Sequence, residues 1–132
     1  MMADSSRGFA KASIRKAEKA LKSARILLEH GELEDATSRA YYAMFHAARA
    51  ALFSKGLKAR THKGTITLFG EYVVKRGLMS ERYADMLRRA FDIRQRSDYE
   101  VYFEVDRQTA EEAILDAEEF IKAVKKLLIR GS

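Results

Sequence analysis

The apolar positions of this chain recur at helical spacing almost from end to end. Ala10, Ile14, Ala17, Leu21, Ala24 and Leu28 form one stripe at intervals of three and four, which predicts a first helix from about residue 5 to His30. Gly31 stands just beyond it as a C-terminal stop. A second helix runs from about Leu33 to Lys55 and ends at Gly56, and a third lies within His62–Arg76 ahead of Gly77. Ser80 is placed to cap a fourth, from 81 to about 98. Ala110, Ala113, Ala117, Phe120, Val124 and Leu127 mark one face of a fifth, about 107 to 129. The segment Tyr99–Val105, rich in aromatic and β-branched residues, reads as a loop, and no segment alternates with period two over a useful length. Short connections make consecutive helices antiparallel neighbours. The expected fold is therefore all-α, an antiparallel up-and-down bundle of four to five helices. It forms one domain over 1–132, with residues 1–6 and 131–132 peripheral.

Composition narrows the picture. A chain of 132 residues has room for one core. With 47% hydrophobic and 33% charged residues it has the make-up of an ordinary globular protein. Without proline, and with only seven glycines, long helices run uninterrupted. The absence of cysteine excludes disulfides, thiolate zinc sites and thiol catalysis. No apolar run approaches the ~20 residues that span a bilayer, and no signal-peptide core is visible, so a cytoplasmic protein without a membrane partner is expected. The formal net charge of +6 is uneven. Residues 1–31 carry Arg7, Lys11, Arg15, Lys16, Lys19, Lys22 and Arg25 against Asp4, Glu18 and Glu29, and 54–64 adds Lys55, Lys58, Arg60 and Lys63. Helices 4 and 5 balance their charges. Such a basic surface attracts a polyanion such as RNA or an acidic partner, or is simply a solvated helix face.

Two helices carry candidate chemistry. On helix 2, Tyr41, Phe45, Ala48 and Leu52 make one apolar strip, and Tyr42, His46, Arg49 and Phe53 make a mixed one beside it. Ala40, Ala43, Ala47, Ala50 and Ala51 fill the remaining side, small enough for another helix to approach closely. A helix apolar nearly all round is buried from several sides, and the mixed strip marks one of them as an interface or cleft. On helix 4, Arg94 lies on the apolar stripe of Tyr83, Met86, Leu87 and Ala90, whereas Arg82, Arg88, Arg89 and Arg96 point elsewhere. A guanidinium there must be paired or face a cleft. Asp98, one turn on, offers an i,i+4 salt bridge; the other reading is an anion-binding arginine beside Ser97, Asp98 and Tyr99.

These strings resemble a known family. Ser38-Arg39-Ala40-Tyr41-Tyr42-Ala43-Met44-Phe45-His46-Ala47-Ala48-Arg49 is similar to the second helix of HEPN domains, especially short prokaryotic members. Arg94-Gln95-Arg96-Ser97-Asp98-Tyr99 is similar to that group's signature near the end of the fourth helix. The Gly56 and His62-Lys63 region and the tail Ala117-Glu118-Glu119-Phe120-Ile121 fit as well, so the likeness extends from about residue 10 to 128. The resemblance implies a helical bundle that dimerises, often with a minimal nucleotidyltransferase as toxin–antitoxin partner. Catalytic members of the family are metal-independent ribonucleases with an arginine, four variable residues and a histidine; two copies meet across the dimer, and the ribose 2′-OH attacks.

Arg94 matches the signature arginine, but the histidine position holds Tyr99. Histidine exchanges a proton near neutral pH, whereas tyrosine ordinarily titrates near ~10 and is a poor general base. Of His30, His46 and His62, only His46 lies on the cleft-facing strip, as a candidate stand-in. The three show no metal-site spacing, and neither a P-loop nor a dinucleotide fingerprint is present, so no metal and no cofactor are expected.

Three readings remain. The first is a binding and regulatory HEPN homodimer, paired with a nucleotidyltransferase. Its RNA, phosphate or partner site is made of Arg94, Ser97, Tyr42, His46 and Arg49. The second is a ribonuclease using Arg94, Tyr99 and Asp98. The third is a structural adaptor with Arg94–Asp98 as a plain salt bridge.

Overall fold

In the computed structural model, which describes residues 4–130, five α-helices follow in order: α1 Asp4–Glu29, α2 Leu33–Phe53, α3 His62–Phe69, α4 Glu81–Tyr99 and α5 Arg107–Arg130. No strand occurs among the described residues, and the all-α bundle expected from the periodicity is what forms. The expectation that the termini are peripheral falls partly outside the described residues, at 1–3 and 131–132; residues 4–6 open α1. Helix ends lie within about two residues of those read from the sequence, with one exception. The third helix is α-helical only to Phe69 and continues as a π-helical turn, Gly70–Val74, in which the Lys75 N–H donates to the Gly70 carbonyl at 2.9 Å. A change from i−4 to i−5 bonding leaves too little trace in a hydrophobic pattern to be read there.

Local chemistry sets the helix ends. Ser80 Oγ accepts from the Arg82 N–H at 3.3 Å to start α4, and Asp106 Oδ1 accepts from the Thr109 N–H at 2.8 Å to start α5. Three helical segments stop on glycine in the same way. At Gly56 the Leu57 N–H reaches back to the Leu52 carbonyl and the Gly56 N–H to Phe53, both at 2.9 Å; Gly31 and Gly77 repeat the pattern. Gly56 has φ +74°, and a Cβ there would meet nothing within 4 Å. Its substitution cost is therefore backbone strain alone. Gly56→Ala is expected to lower stability by about 1–2 kcal/mol, with little change in the m-value, as read from urea denaturation.

The α2 helix is the centre of the bundle. It touches α1, α3, α4 and α5, and its contact with α1 is the most extensive between any two helices. Ala17, Ala20 and Ala24 of α1 and Ala40, Ala43, Ala47, Ala50 and Ala51 of α2 are all fully buried. The small-residue side of α2 thus serves close helix packing. Larger side chains fill the rest: Tyr41, Met44, Leu52, Phe69, Val73, Leu87, Phe120 and Val124 are sealed from solvent. Most of the apolar circumference of α2 is satisfied within its own chain, and Tyr42, His46 and Arg49 form its half-open edge. Ion pairs Arg25–Glu118 (2.6 Å), Lys125–Glu18 (2.5 Å) and Arg82–Glu119 clip α5 to its neighbours at the surface, where each contributes little.

Candidate functional site

The half-open edge of α2 is where three helices bring chemistry together. Tyr41 and Tyr42 are consecutive, so their rings leave the helix about 100° apart. Tyr41 turns inward and is fully buried; Tyr42 stays half-buried at the rim. Phe45, one turn on from both, packs beside them at centroid distances of 6.0 and 6.5 Å.

The α3 helix delivers an imidazole onto these rings. Thr61 caps it through Oγ1, which accepts from the Gly64 N–H at 2.8 Å. A Cβ at residue 64 would sit 2.8 Å from that same oxygen, so glycine allows the tight cap. The cap makes His62 the first helical residue and fixes where its side chain goes. Its ring stacks on Phe45 at 4.3 Å and 12°, and Nδ1 lies 2.6 Å from Tyr41 Oη in a hydrogen bond. Phe91 of α4 lies 6.3 Å from His62 and 5.8 Å from Tyr41.

Arg94 follows Phe91 by three residues and so shares its face. Its guanidinium carbon lies 4.9 Å from the centre of the Tyr42 ring and 5.9 Å from that of Tyr41. Its NH1 is 3.3 Å from Asp98 Oδ2, and the side chain keeps 26% of its surface exposed. The Arg94–Asp98 salt bridge is therefore present, and a guanidinium with five donors and one carboxylate neighbour retains further N–H groups. The tyrosine faces hold the cation by quadrupole attraction and restrict its movement.

Further along the strip, Arg49 lies over Phe45 and Phe53 at 5.7 and 5.3 Å, and Arg39 over Tyr42 at 5.3 Å. His46 stacks against Tyr42 at 6.4 Å, and its buried Nδ1 meets no hydrogen-bond partner among the described residues. Burial, then the charges of Lys16, Arg49 and Arg39, push its pKa down from 6.5 to about 4. His62 is also shifted down, first by burial and then by Arg94 and Arg49. Burial drives the Tyr41 hydroxyl well above its usual range, against the pull of Arg94. At neutral pH the site is a basic rim around uncharged rings.

The sequence-derived candidates divide accordingly. Arg94, Asp98 and Tyr42 come together, with His46 and Arg49 on the adjoining strip. Ser97 is half-buried, and its hydroxyl makes no hydrogen bond among the described residues. Tyr99 ends α4, 80% exposed, and lies about 140° round the helix from Arg94. Its ring therefore does not join the tyrosine–arginine cluster. The sequence reading missed Tyr41, Phe91 and above all His62, the histidine that feels Arg94. The cap sequence Thr61-His62-Lys63-Gly64, which places residue 62 in a first turn, and the three-residue step from Phe91 to Arg94 were the available signals. No group of three or more histidine or carboxylate side chains with metal-binding geometry occurs among the described residues. No helix there is long and apolar enough to cross a membrane.

The fold and this edge define a class: an all-α bundle with an arginine near the end of its fourth helix, set against paired tyrosines of its second. Residues 10–127 match the model of the HEPN domain, and the chain belongs to the HEPN domain family. It is 46% identical over 112 residues to a UPF0332 protein of Archaeoglobus fulgidus, an alignment covering 85% of this chain and 89% of that one. It is also 40% identical over 115 residues to "Putative toxin MJ0605" of Methanocaldococcus jannaschii, covering 85% and 83%. A UPF0332 protein of Thermotoga maritima is 32% identical over 114 residues, covering 86% of each chain.

Proposed function

We propose that this chain is a toxin-type HEPN protein whose Arg94 cleft takes the phosphate backbone of RNA. It acts as a homodimer, and a minimal nucleotidyltransferase controls it. The observation that carries the reading is Arg94 itself, braced by Tyr41 and Tyr42 and by Asp98, yet still open to solvent. A braced guanidinium loses little freedom when it grips a phosphate through two parallel hydrogen bonds. Arg39 and Arg49 continue the positive charge along α2, with the half-buried Tyr42 ring between them. The name of the similar Methanocaldococcus jannaschii protein supports the toxin reading. The same edge, at a two-fold axis, would place two Arg94 side chains in one cleft.

The test is binding of a short, 5′-labelled single-stranded RNA, followed by fluorescence anisotropy at fixed salt. Loss of a charge-assisted contact costs about 1.5–3 kcal/mol, so Arg94→Ala is expected to weaken binding by about 10- to 100-fold. Arg94→Lys should recover only part, because an ammonium cannot make the bidentate contact. An Arg94→Ala protein that binds RNA as the wild type does overturns the reading. So does one that loses several kcal/mol of stability while binding is unchanged, since Arg94–Asp98 is then a structural salt bridge.

A further inference from the structure

The hydrogen bond between Tyr41 and His62 decides which ring nitrogen carries the imidazole hydrogen. We propose that Tyr41 locks this hydrogen on Nε2, and that the neutral Nε2–H is a second donor of the Arg94 cleft, gripping a phosphate oxygen of bound RNA alongside the guanidinium. The inference rests on the RNA-binding reading above.

Tyr41 is sealed from solvent, and its hydroxyl has one partner among the described residues, His62 Nδ1 at 2.6 Å. A buried phenol without an acceptor would forfeit a hydrogen bond that it makes freely in water. Tyr41 therefore donates and Nδ1 accepts. Burial keeps the phenol in its protonated, donating form. The imidazole is held neutral first by burial and then by the charges of Arg94 and Arg49. A neutral ring carries one hydrogen, and with Nδ1 accepting, that hydrogen sits on Nε2.

Nε2 is open to a ligand. Among the described residues, His46 Nδ1 is the one side-chain nitrogen or oxygen that is both buried and without a partner. His62 Nε2 also lacks a partner, so it reaches solvent from its half-buried residue. The ring is held flat on Phe45 at 4.3 Å and 12°, which fixes its plane. It shares its other neighbours with Arg94. Tyr42 lies 4.9 Å from the guanidinium carbon and 6.0 Å from the imidazole centre, and Tyr41 lies 5.9 and 5.7 Å from them. A charged donor and a neutral one thus stand on the same pair of rings. Arg94 brings charge, which salt screens; His62 brings a directed hydrogen bond to an anionic oxygen and adds no charge.

The experiment uses the full chain. In protein carrying 15N-labelled histidine, the His62 ring at neutral pH is expected to show a protonated Nε2 and an accepting Nδ1. In Tyr41→Phe the hydrogen should exchange between the two nitrogens, which draws their chemical shifts together. Binding of the 5′-labelled single-stranded RNA is then measured across a salt series. His62→Leu is expected to weaken binding about tenfold or more, with an unchanged slope of log affinity against log salt. Arg94→Ala should flatten that slope by about 0.7 to 1. In His62→Gln the side-chain carbonyl can accept from Tyr41 and the amide nitrogen can donate to the phosphate, so binding should stay within about threefold of the wild type. Circular dichroism melts establish that each variant folds. Should His62→Leu not fold, the double variant Tyr41→Phe/His62→Leu, which leaves no orphaned hydroxyl, replaces it. A ring protonated at Nδ1 overturns the proposal. So does a folded His62→Leu protein that binds as the wild type does, or a His62→Gln protein no better than His62→Leu. Wild type that fails to bind RNA overturns instead the binding reading beneath it.

Discussion

Phe120→Ala is expected to remove about 3–5 kcal/mol of stability, enough to bring a domain of this size close to unfolding. Phe120 is fully buried on α5, with Phe69 of α3 at 5.3 Å and Tyr83 of α4 edge-on at 5.8 Å. Three helices therefore meet at one ring, two of them leaning on the third. A cavity left between them cannot close without moving all three, so the loss combines the transfer of the ring with the contacts its neighbours forfeit. Phe9 provides the contrast. It is 52% exposed and rests on Phe53 at 5.4 Å, so Phe9→Ala should cost less than about 1 kcal/mol. Urea denaturation compares the two. A Phe120→Ala midpoint close to that of Phe9→Ala would show that the α3–α4–α5 junction is not packed around this ring.

The bundle was legible because its information is local and repetitive. Stripes such as Ala10–Ile14–Ala17–Leu21 and glycines at 31, 56 and 77 state where a helix lies and where it stops, without reference to any other part of the chain. Arg94 was legible for a related reason, as a charge at an apolar position of its own helix. The partners of Arg94 were not. Its pairing with Tyr42 joins α4 to α2, and the Tyr41–His62 bond spans 21 residues across a turn. Helix-wheel reasoning places a residue on a face but does not say which residue of another helix meets it. The likeness to a family directed attention to Tyr99 by its distance in the chain from Arg94. The structure places that ring outside the cluster and the His62 imidazole inside it. Proximity along a helix and proximity in a cleft are different quantities: five residues along an α-helix is more than one turn, while helices packed side by side bring distant residues into contact.

The acid stability of the protein should depend on His46. Its ring is buried, with Nδ1 meeting no partner among the described residues, and Lys16, Arg49 and Arg39 add positive charge around it, so burial first and then these charges lower its pKa from 6.5 to about 4. Between those two values the unfolded chain binds a proton that the folded chain refuses. Stability is therefore fully present above about pH 6.5, is lost progressively as the pH falls toward 4, and levels off below that. A difference of this size corresponds to up to about 3 kcal/mol, reduced by whatever solvent screens at the half-open edge of the ring. His46→Leu fills the same strip with an apolar side chain, removes the orphaned nitrogen and cannot take the proton. Urea denaturation of wild type and His46→Leu near neutrality and near pH 4 isolates the effect, because the carboxylates and His62 titrate in both. The variant is expected to lose about 2–3 kcal/mol less than wild type across that window. Equal losses in the two proteins would show that His46 is solvated and ordinary in its titration. A smaller loss in the variant would show that acid loosens α2 at the strip carrying Tyr42, the ring on which Arg94 is braced. The RNA affinity of the wild type should then weaken in the same window in which its stability falls, and that of His46→Leu should weaken less.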